Sequence, residues 1–174
     1  MPVFKVITQA RDTGNTTGLA GKYHDMAAIE TVITYVLNPA KTDARYVGGC
    51  AINPRMAAQQ FSQIAEAYGK NTGIHLRHMV LSFQESEPLT AEQAFYIAHQ
   101  IAQYYGDAYQ ILFALHLDHA NYHVHFVMNT VSYRTGAKYA GDKRDYYRFI
   151  QYMERVLAQY GMGLSVCSDR TPTE

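Results

Sequence analysis

The sequence predicts an α+β domain, a central antiparallel β-sheet with helices packed on one face. Three observations predict it. Apolar runs of strand type at residues 3–8, 74–83, 109–116 and 123–129 are separated by segments with helical spacing. Those helical segments carry their own start and stop residues. Two of the strand-type runs are joined by Asp118-His-Ala-Asn-Tyr122, whose turn composition folds them into an antiparallel hairpin.

Taken in order, residues 3–8 form a strand and residues 11–22 a polar, glycine-bearing loop. Met26, Ile29, Ile33 and Val36 recur at helical spacing, giving a helix from His24 to about Leu37 that Pro39 closes. Residues 46–52 are short and glycine-containing, a strand or an irregular loop. Pro54 opens a helix over 54–70, with Gly-Lys-Asn-Thr-Gly at and beyond its end. A strand follows at 74–83. Thr90-Ala-Glu-Gln93 is a capping box and opens a helix to about Tyr105, with Gly106 as its stop. Then come the hairpin at 109–132, a last helix around 144–160 and an edge strand at 164–167. Residues 1–167 make one domain, and 168–174 a frayed tail.

Composition narrows the function classes. The chain has 174 residues, 48% of them hydrophobic, which is enough for one real core. No apolar run approaches the ~20 residues that cross a bilayer, so no membrane insertion is expected. The amino terminus lacks a secretory pattern, and the two cysteines give neither a disulfide framework nor a zinc-finger spacing, so a reducing cytoplasm is expected. The zero net charge is unusual for a nucleic-acid-binding domain. The cations are unevenly placed, however: Arg134, Lys138, Lys143, Arg144, Arg148 and Arg155 form one group, and Lys41, Arg45 and Arg55 another. Local positive potential is what phosphate contacts need. Tyr133, Tyr139, Tyr146 and Tyr147 are interleaved with the larger group and could stack on unpaired bases or serve as core and rim aromatics.

The chemistry is concentrated at residues 116–129. Four of the eight histidines and Asp118 fall within ten positions. Side chains at i and i+2 of a strand share a face, so His123 and His125 project together while Val124 and Phe126 pack behind them. Pairing with the preceding strand brings His116 to the same face, and Asp118 follows it. Three imidazoles on a rigid hairpin suit a catalytic divalent metal. Manganese or another first-row ion fits imidazole better than magnesium, which prefers oxygen. Asp118 either fixes a histidine tautomer or accepts a nucleophile's proton. Asn129, on the same face, could position a ligand or phosphate.

The pattern His-x-Asp-x-x-x-x-His-x-His-x-x-x-Asn resembles the third motif of conjugative relaxases, the HUH-type mobilisation nucleases of the MOBP class. Thr34-Tyr35-Val-Leu-Asn38-Pro39-Ala-Lys41-Thr42 resembles their first motif, and His78-Met-Val-Leu-Ser82-Phe83 their second. Gly136-Ala-Lys138-Tyr139 and Gly161-Met-Gly-Leu164 also sit where such domains carry similar segments. The sequence departs from many members at Ala120-Asn121, where they have a histidine or aspartate.

The resemblance implies an HUH two-layer sandwich that nicks and rejoins one DNA strand at a transfer origin, starting conjugative transfer or mobilisation. It implies that Tyr35 attacks the nick site and stays joined to the 5′ phosphate, with Tyr23, Tyr46 and then His24 in reserve. It implies that His116, His123 and His125 hold the metal and that Ser82 donates to a DNA phosphate. Lys41, Lys138 and Arg144 are candidate backbone contacts. The expected partners are single-stranded origin DNA, with or without a hairpin, accessory relaxosome proteins and a coupling protein. Two other classes stay open: a three-histidine metal hydrolase or oxygenase acting on a small molecule, and a non-catalytic origin-binding accessory protein.

Overall fold

The computed structural model describes residues 1–7 and 22–167. Thr8, the last residue of the expected first strand, the expected loop as far as Gly21, and the expected tail lie outside the described residues. The elements are β1 (Val3–Ile7), α1 (Ala27–Val36), β2 (Val47–Cys50), α2 (Ala57–Ala67), β3 (Leu76–Ser82), α3 (Ala91–Gly106), β4 (Ile111–His116), β5 (His123–Asn129), α4 (Lys143–Ala158) and β6 (Ser165–Val166). Short 3-10 turns stand at Lys22–His24, Ala44–Tyr46 and Pro54–Met56.

These six strands form one sheet in the order β2-β4-β5-β3-β1-β6. Every pairing is antiparallel except that of β6 with β1, which is parallel. The glycine-containing segment 46–52 therefore resolves into an edge strand, β2, and the segment 164–167 into the opposite edge, β6.

The α+β class stands, with a refinement: helices cover both faces of the sheet. On one face α3 and α4 place Ile97, Ile101, Phe149 and Met153 against Phe4, Leu81, Phe113, Leu115, Val124 and Phe126. On the other, α1 and α2 place Ile29, Val32, Val36 and Phe61 against Ile7, Leu76, Val80, Leu112, Ala114 and Val127. Each fully buried aliphatic or aromatic side chain contributes roughly 1.5–3 kcal/mol relative to exposure. Apart from their histidines and Asn129, β4 and β5 are apolar on both faces, which is what a sheet covered by helices on both sides requires.

Helix ends follow local chemistry. The capping box of α3 is present, with Gln93 N–H donating to Thr90 Oγ1 and Thr90 N–H to Gln93 Oε1. Asp142 caps α4 by accepting from Asp145 N–H at 2.7 Å. The helix expected from His24 starts later, at Ala27, where Asp25 Oδ1 accepts from Ala27 N–H at 2.9 Å. Gly106 is the last residue of α3 rather than its stop, and its φ is not in the left-handed region. A Cβ there would lie 2.6 Å from Cys50 Cβ, so this glycine lets α3 approach β2.

Candidate active site

Register assembles the site. Pairings of Ser82 with His123, Val80 with His125, and Ile7 with His78 align β1, β3 and β5. Pairings of Ala114 with His125 and of His116 with His123 add β4. Because the side-chain period of a strand is two, Lys5, Ile7, His78, Val80, Ser82, His116, His123 and His125 all emerge on the α1 face. With Tyr35, Lys41, Asp118 and His119 they line a cavity of about 230 Å³.

Tyr35 sits on the last turn of α1, 36% exposed, and its ring meets those of His116 and His125 edge-on at 5.7 and 5.6 Å. The His116 and His125 rings lie 4.1 Å apart. The Asn38-Pro39 turn after α1 returns the chain toward the same cavity: Asn38 Oδ1 accepts from Ala40 N–H at 2.9 Å. Lys41 then stands 5.6 Å from the Tyr35 ring centre and donates to Asp118 Oδ2 at 2.6 Å. Lys41 and the hairpin are further tied by Leu117 N–H donating to the Lys41 carbonyl at 2.6 Å.

The histidines are differently held. His116 Nε2 donates to the Val36 carbonyl at 2.9 Å, joining β4 to the end of α1. His123 Nε2 lies 3.3 Å from the Asn121 side-chain amide nitrogen. His125 Nδ1 lies 2.9 Å from His78 Nε2, and both rings are buried. Among the described residues, no three His, Cys, Asp or Glu side chains stand in positions that would hold a metal ion as they are.

Burial sets the charges here. It holds His116, His123 and His125 below the usual imidazole range, His125 well below, so all three are neutral at physiological pH. The hydrogen bond to Asp118 raises the Lys41 ammonium above its ordinary value against the opposing effect of burial. Burial pushes the Asp118 carboxyl up, but the hydrogen bond and charge of Lys41 outweigh it and leave that carboxyl below its ordinary value. The pair is therefore ionised, and Asp118 is a weak base with its partner already chosen.

Of the residues singled out from sequence, Tyr35, Lys41, Ser82, His116, Asp118, His123 and His125 come together in this cavity. Asn129, Lys138 and Arg144 do not. Asn129 is buried at the far end of β5, donating to the Phe61 carbonyl and Gln110 Oε1 and accepting from Val131 N–H. Lys138 donates to the Ile74 carbonyl at 2.6 Å and lines a separate cavity of about 610 Å³. Arg144 is exposed on the first turn of α4. The reserve tyrosines are placed elsewhere: Tyr46 OH donates to Glu92 Oε1 at 2.6 Å, and Tyr23 is buried in the core beneath α1. His24 is exposed in the turn before α1. Asp118 pairs with Lys41 rather than with His116. His78 and His119 also line the cavity. Alternation with Val80 and Ser82 along the strand places His78 on the site face, whereas His119 stands in the hairpin loop.

The segment from the α1 tyrosine through the histidine hairpin to the last helix is also what the family comparison matches. The model of the relaxase family described as MobA/VirD2-like, nuclease domain, covers residues 35–162. The chain belongs to this relaxase family. Among its relatives, a Protein rlx of Staphylococcus aureus is 26% identical over 129 residues, covering 74% of this chain and 41% of the relative. A second Protein rlx of that organism is 30% identical over 107 residues, covering 62% of this chain and 33% of the relative. The group II intron-interrupted relaxase LtrB of Lactococcus lactis subsp. cremoris is 31% identical over 75 residues, which are 42% of this chain and 13% of LtrB. The chain thus spans well under half the length of these relatives. Among solved structures, the MobM relaxase domain bound to 26-nucleotide pMV158 oriT DNA superposes with a TM-score of 0.61 at 10% identity, covering 99% of this chain and 94% of MobM. A Mn-bound MobM complex with the 23-nucleotide oriT DNA gives 0.60 at 10% identity, covering 99% of this chain and 93% of that one. At such identity the likeness establishes a shared relaxase fold.

Proposed function

We propose that this domain nicks and rejoins one DNA strand at a transfer origin through a covalent 5′-phosphotyrosine on Tyr35, and so initiates transfer of a plasmid or integrative element. The observation that carries the proposal is the packing of the Tyr35 ring against His116 and His125 in a cavity that also holds a lysine. The membership of the chain in a relaxase nuclease family supports the reading, as does the MobM fold, solved with oriT DNA and with manganese.

The reaction balances as a transesterification. The Tyr35 oxygen bonds to the scissile phosphorus, the bond from phosphorus to the 3′ oxygen breaks, and the phenolic proton leaves as the 3′ oxygen gains one. The energy of the broken ester is kept in the new one, so the reverse attack by the 3′ hydroxyl reseals the strand. Lys41, held cationic by Asp118, places positive charge beside both the phenol and an incoming phosphate. Ser82, at the end of β3, can donate to a non-bridging oxygen.

His116, His123 and His125 would hold a divalent ion. The donor set fits in type and protonation, since three neutral imidazoles line one cavity and suit manganese or another first-row metal. While His116 Nε2 is bonded to Val36, that ring can offer only Nδ1. When bound, the ion neutralises phosphate charge and aligns the scissile group. Origin DNA in single-stranded form is the proposed partner, with accessory relaxosome proteins and a coupling protein as further proposed partners.

The proposal is tested by incubating the protein with manganese and a labelled single-stranded oligonucleotide carrying the candidate origin. A denaturation-resistant protein–DNA adduct that Tyr35→Phe lacks supports it. An adduct that persists in Tyr35→Phe moves the nucleophile, and metal binding with neither adduct nor cleavage assigns the site to another chemistry.

A further inference from the structure

We infer that His78 is a positioning residue that sets which nitrogen of His125 faces the cavity as an electron-pair donor. The inference rests on the reading of His125 as a metal ligand. His78 emerges from the middle of β3, is 1% exposed, and puts Nε2 at 2.9 Å from His125 Nδ1. The two rings are tilted by 35° with centres 5.2 Å apart, so the contact is edge to edge through nitrogen rather than stacked. His125 Nδ1 is thereby committed to His78, and Nε2 is the nitrogen left for the cavity.

One proton lies between the two rings, and it has two places. If His125 carries it on Nδ1, that nitrogen donates to His78 Nε2, and His125 Nε2 has a free lone pair. His78 then keeps its own proton on Nδ1. If His78 carries the proton on Nε2 and donates, neutral His125 must protonate Nε2 and shows the cavity an N–H donor instead. The first arrangement makes a ligand for a cation, the second a hydrogen-bond donor for a phosphate oxygen. Neither needs a net charge in the buried pair. A hydrogen-bonded partner behind a ligating histidine commonly fixes its tautomer and raises its basicity. In this chain the partner is itself an imidazole, which, unlike a carboxylate, can either accept or donate. The Tyr35 ring stands 5.6 Å from the same His125 ring at 78°, so the tautomer set at His78 is that of the proposed nucleophile's neighbour.

The test uses two substitutions, His78→Gln and His78→Leu, with manganese affinity by calorimetry and imidazole nitrogen NMR of the metal-free protein. The glutamine amide reaches about as far as the imidazole Nε2 and can accept from His125 Nδ1, whereas leucine fills the space without a polar atom. His78→Gln should bind manganese within about threefold of wild type, and His78→Leu roughly 10–100-fold more weakly. Without metal, the His125 ring signals should shift in His78→Leu, with Nδ1–H lost as the favoured form, while thermal unfolding confirms that both variants fold. Wild-type affinity together with unchanged His125 signals in His78→Leu would overturn the inference and leave the metal reading intact. A wild-type protein that binds no manganese would overturn the metal reading itself, and that result is visible before any variant is made.

Discussion

The two faces of the β4–β5 hairpin are built from alternate residues of the same strands, yet they do opposite things. The face toward α3 and α4 carries Phe113, Leu115, Val124 and Phe126, all between 0% and 2% exposed. It is a closed apolar core. The face toward α1 begins in the same way, with Leu112 and Ala114 covered by the helix. It changes character at the strand ends, where α1 runs out at Val36 and the side chains become His116, His123 and His125. The difference shows how a site is made without disturbing a fold. Polar, reactive groups are placed where helical cover stops, and the opposite face supplies the rigidity that holds them.

The sharpest break of this comparison is chemical. Tyr35→Phe removes one oxygen at the edge of the cavity, so adduct formation should fall by about 10³-fold or more while thermal stability stays near wild type. Next comes a pair of substitutions on opposite faces. Phe113→Ala should cost about 3–5 kcal/mol of stability by cavity creation. His123→Ala should change stability by about 1 kcal/mol or less but abolish manganese-dependent nicking. Denaturant melts and strand-cleavage assays on the same two samples decide this. If His123→Ala unfolds the protein, or Phe113→Ala leaves its stability intact, the division of labour is wrong.

Lys41→Met tests the electrostatics of the site face alone. It should slow adduct formation by about 100-fold, with partial recovery in Lys41→Arg, because a cation beside the phosphate is what is lost. Equal rates in the two variants would rule out a role for the charge.

Acid should reveal the buried imidazoles. His75, His116, His123 and His125 are held below the usual range chiefly by burial. The unfolded chain therefore takes up protons near pH ~6.5, before the folded one does. The stability from keeping these rings neutral is fully present above that pH and is lost as pH falls through the lowered folded values. Between about pH 7.5 and pH 5.5 the Tm should drop by roughly 5–10 °C. A flat profile over that window would contradict the assignment of neutral buried rings.

The smallest effect is on the apolar face. Gly106→Ala gains about 1 kcal/mol of helix propensity but forces a Cβ to 2.6 Å from Cys50 Cβ. Overpacking of that kind costs about 1–3 kcal/mol, so a modest net loss of stability is expected in a melt.

Much of this was legible in the sequence because strands and helices announce themselves locally. The i, i+2 histidines, the capping box at Thr90 and the Asn38-Pro39 turn are each readable within a few residues, and hairpin pairing fixes the face of His116. What was not legible is long-range. The Lys41–Asp118 pair joins residues 77 apart, and the His78–His125 contact residues 47 apart. Neither follows from periodicity. Asn129 shows the opposite error: its face was right, but it lies four residues along β5 from His125 and spends its amide on Phe61 and Gln110. Lys138, a candidate phosphate contact by charge, donates to the Ile74 carbonyl and lines a cavity separate from that of Tyr35.

The most direct test of the central claim is to locate the DNA on the protein. After reaction with manganese and an origin oligonucleotide, nuclease trimming and proteolysis should leave a nucleotide-modified peptide for tandem mass spectrometry. The account predicts the modification on Tyr35, in the peptide that contains Asn38 and Pro39. A modification on Tyr23 or Tyr46, or on a histidine, would contradict it.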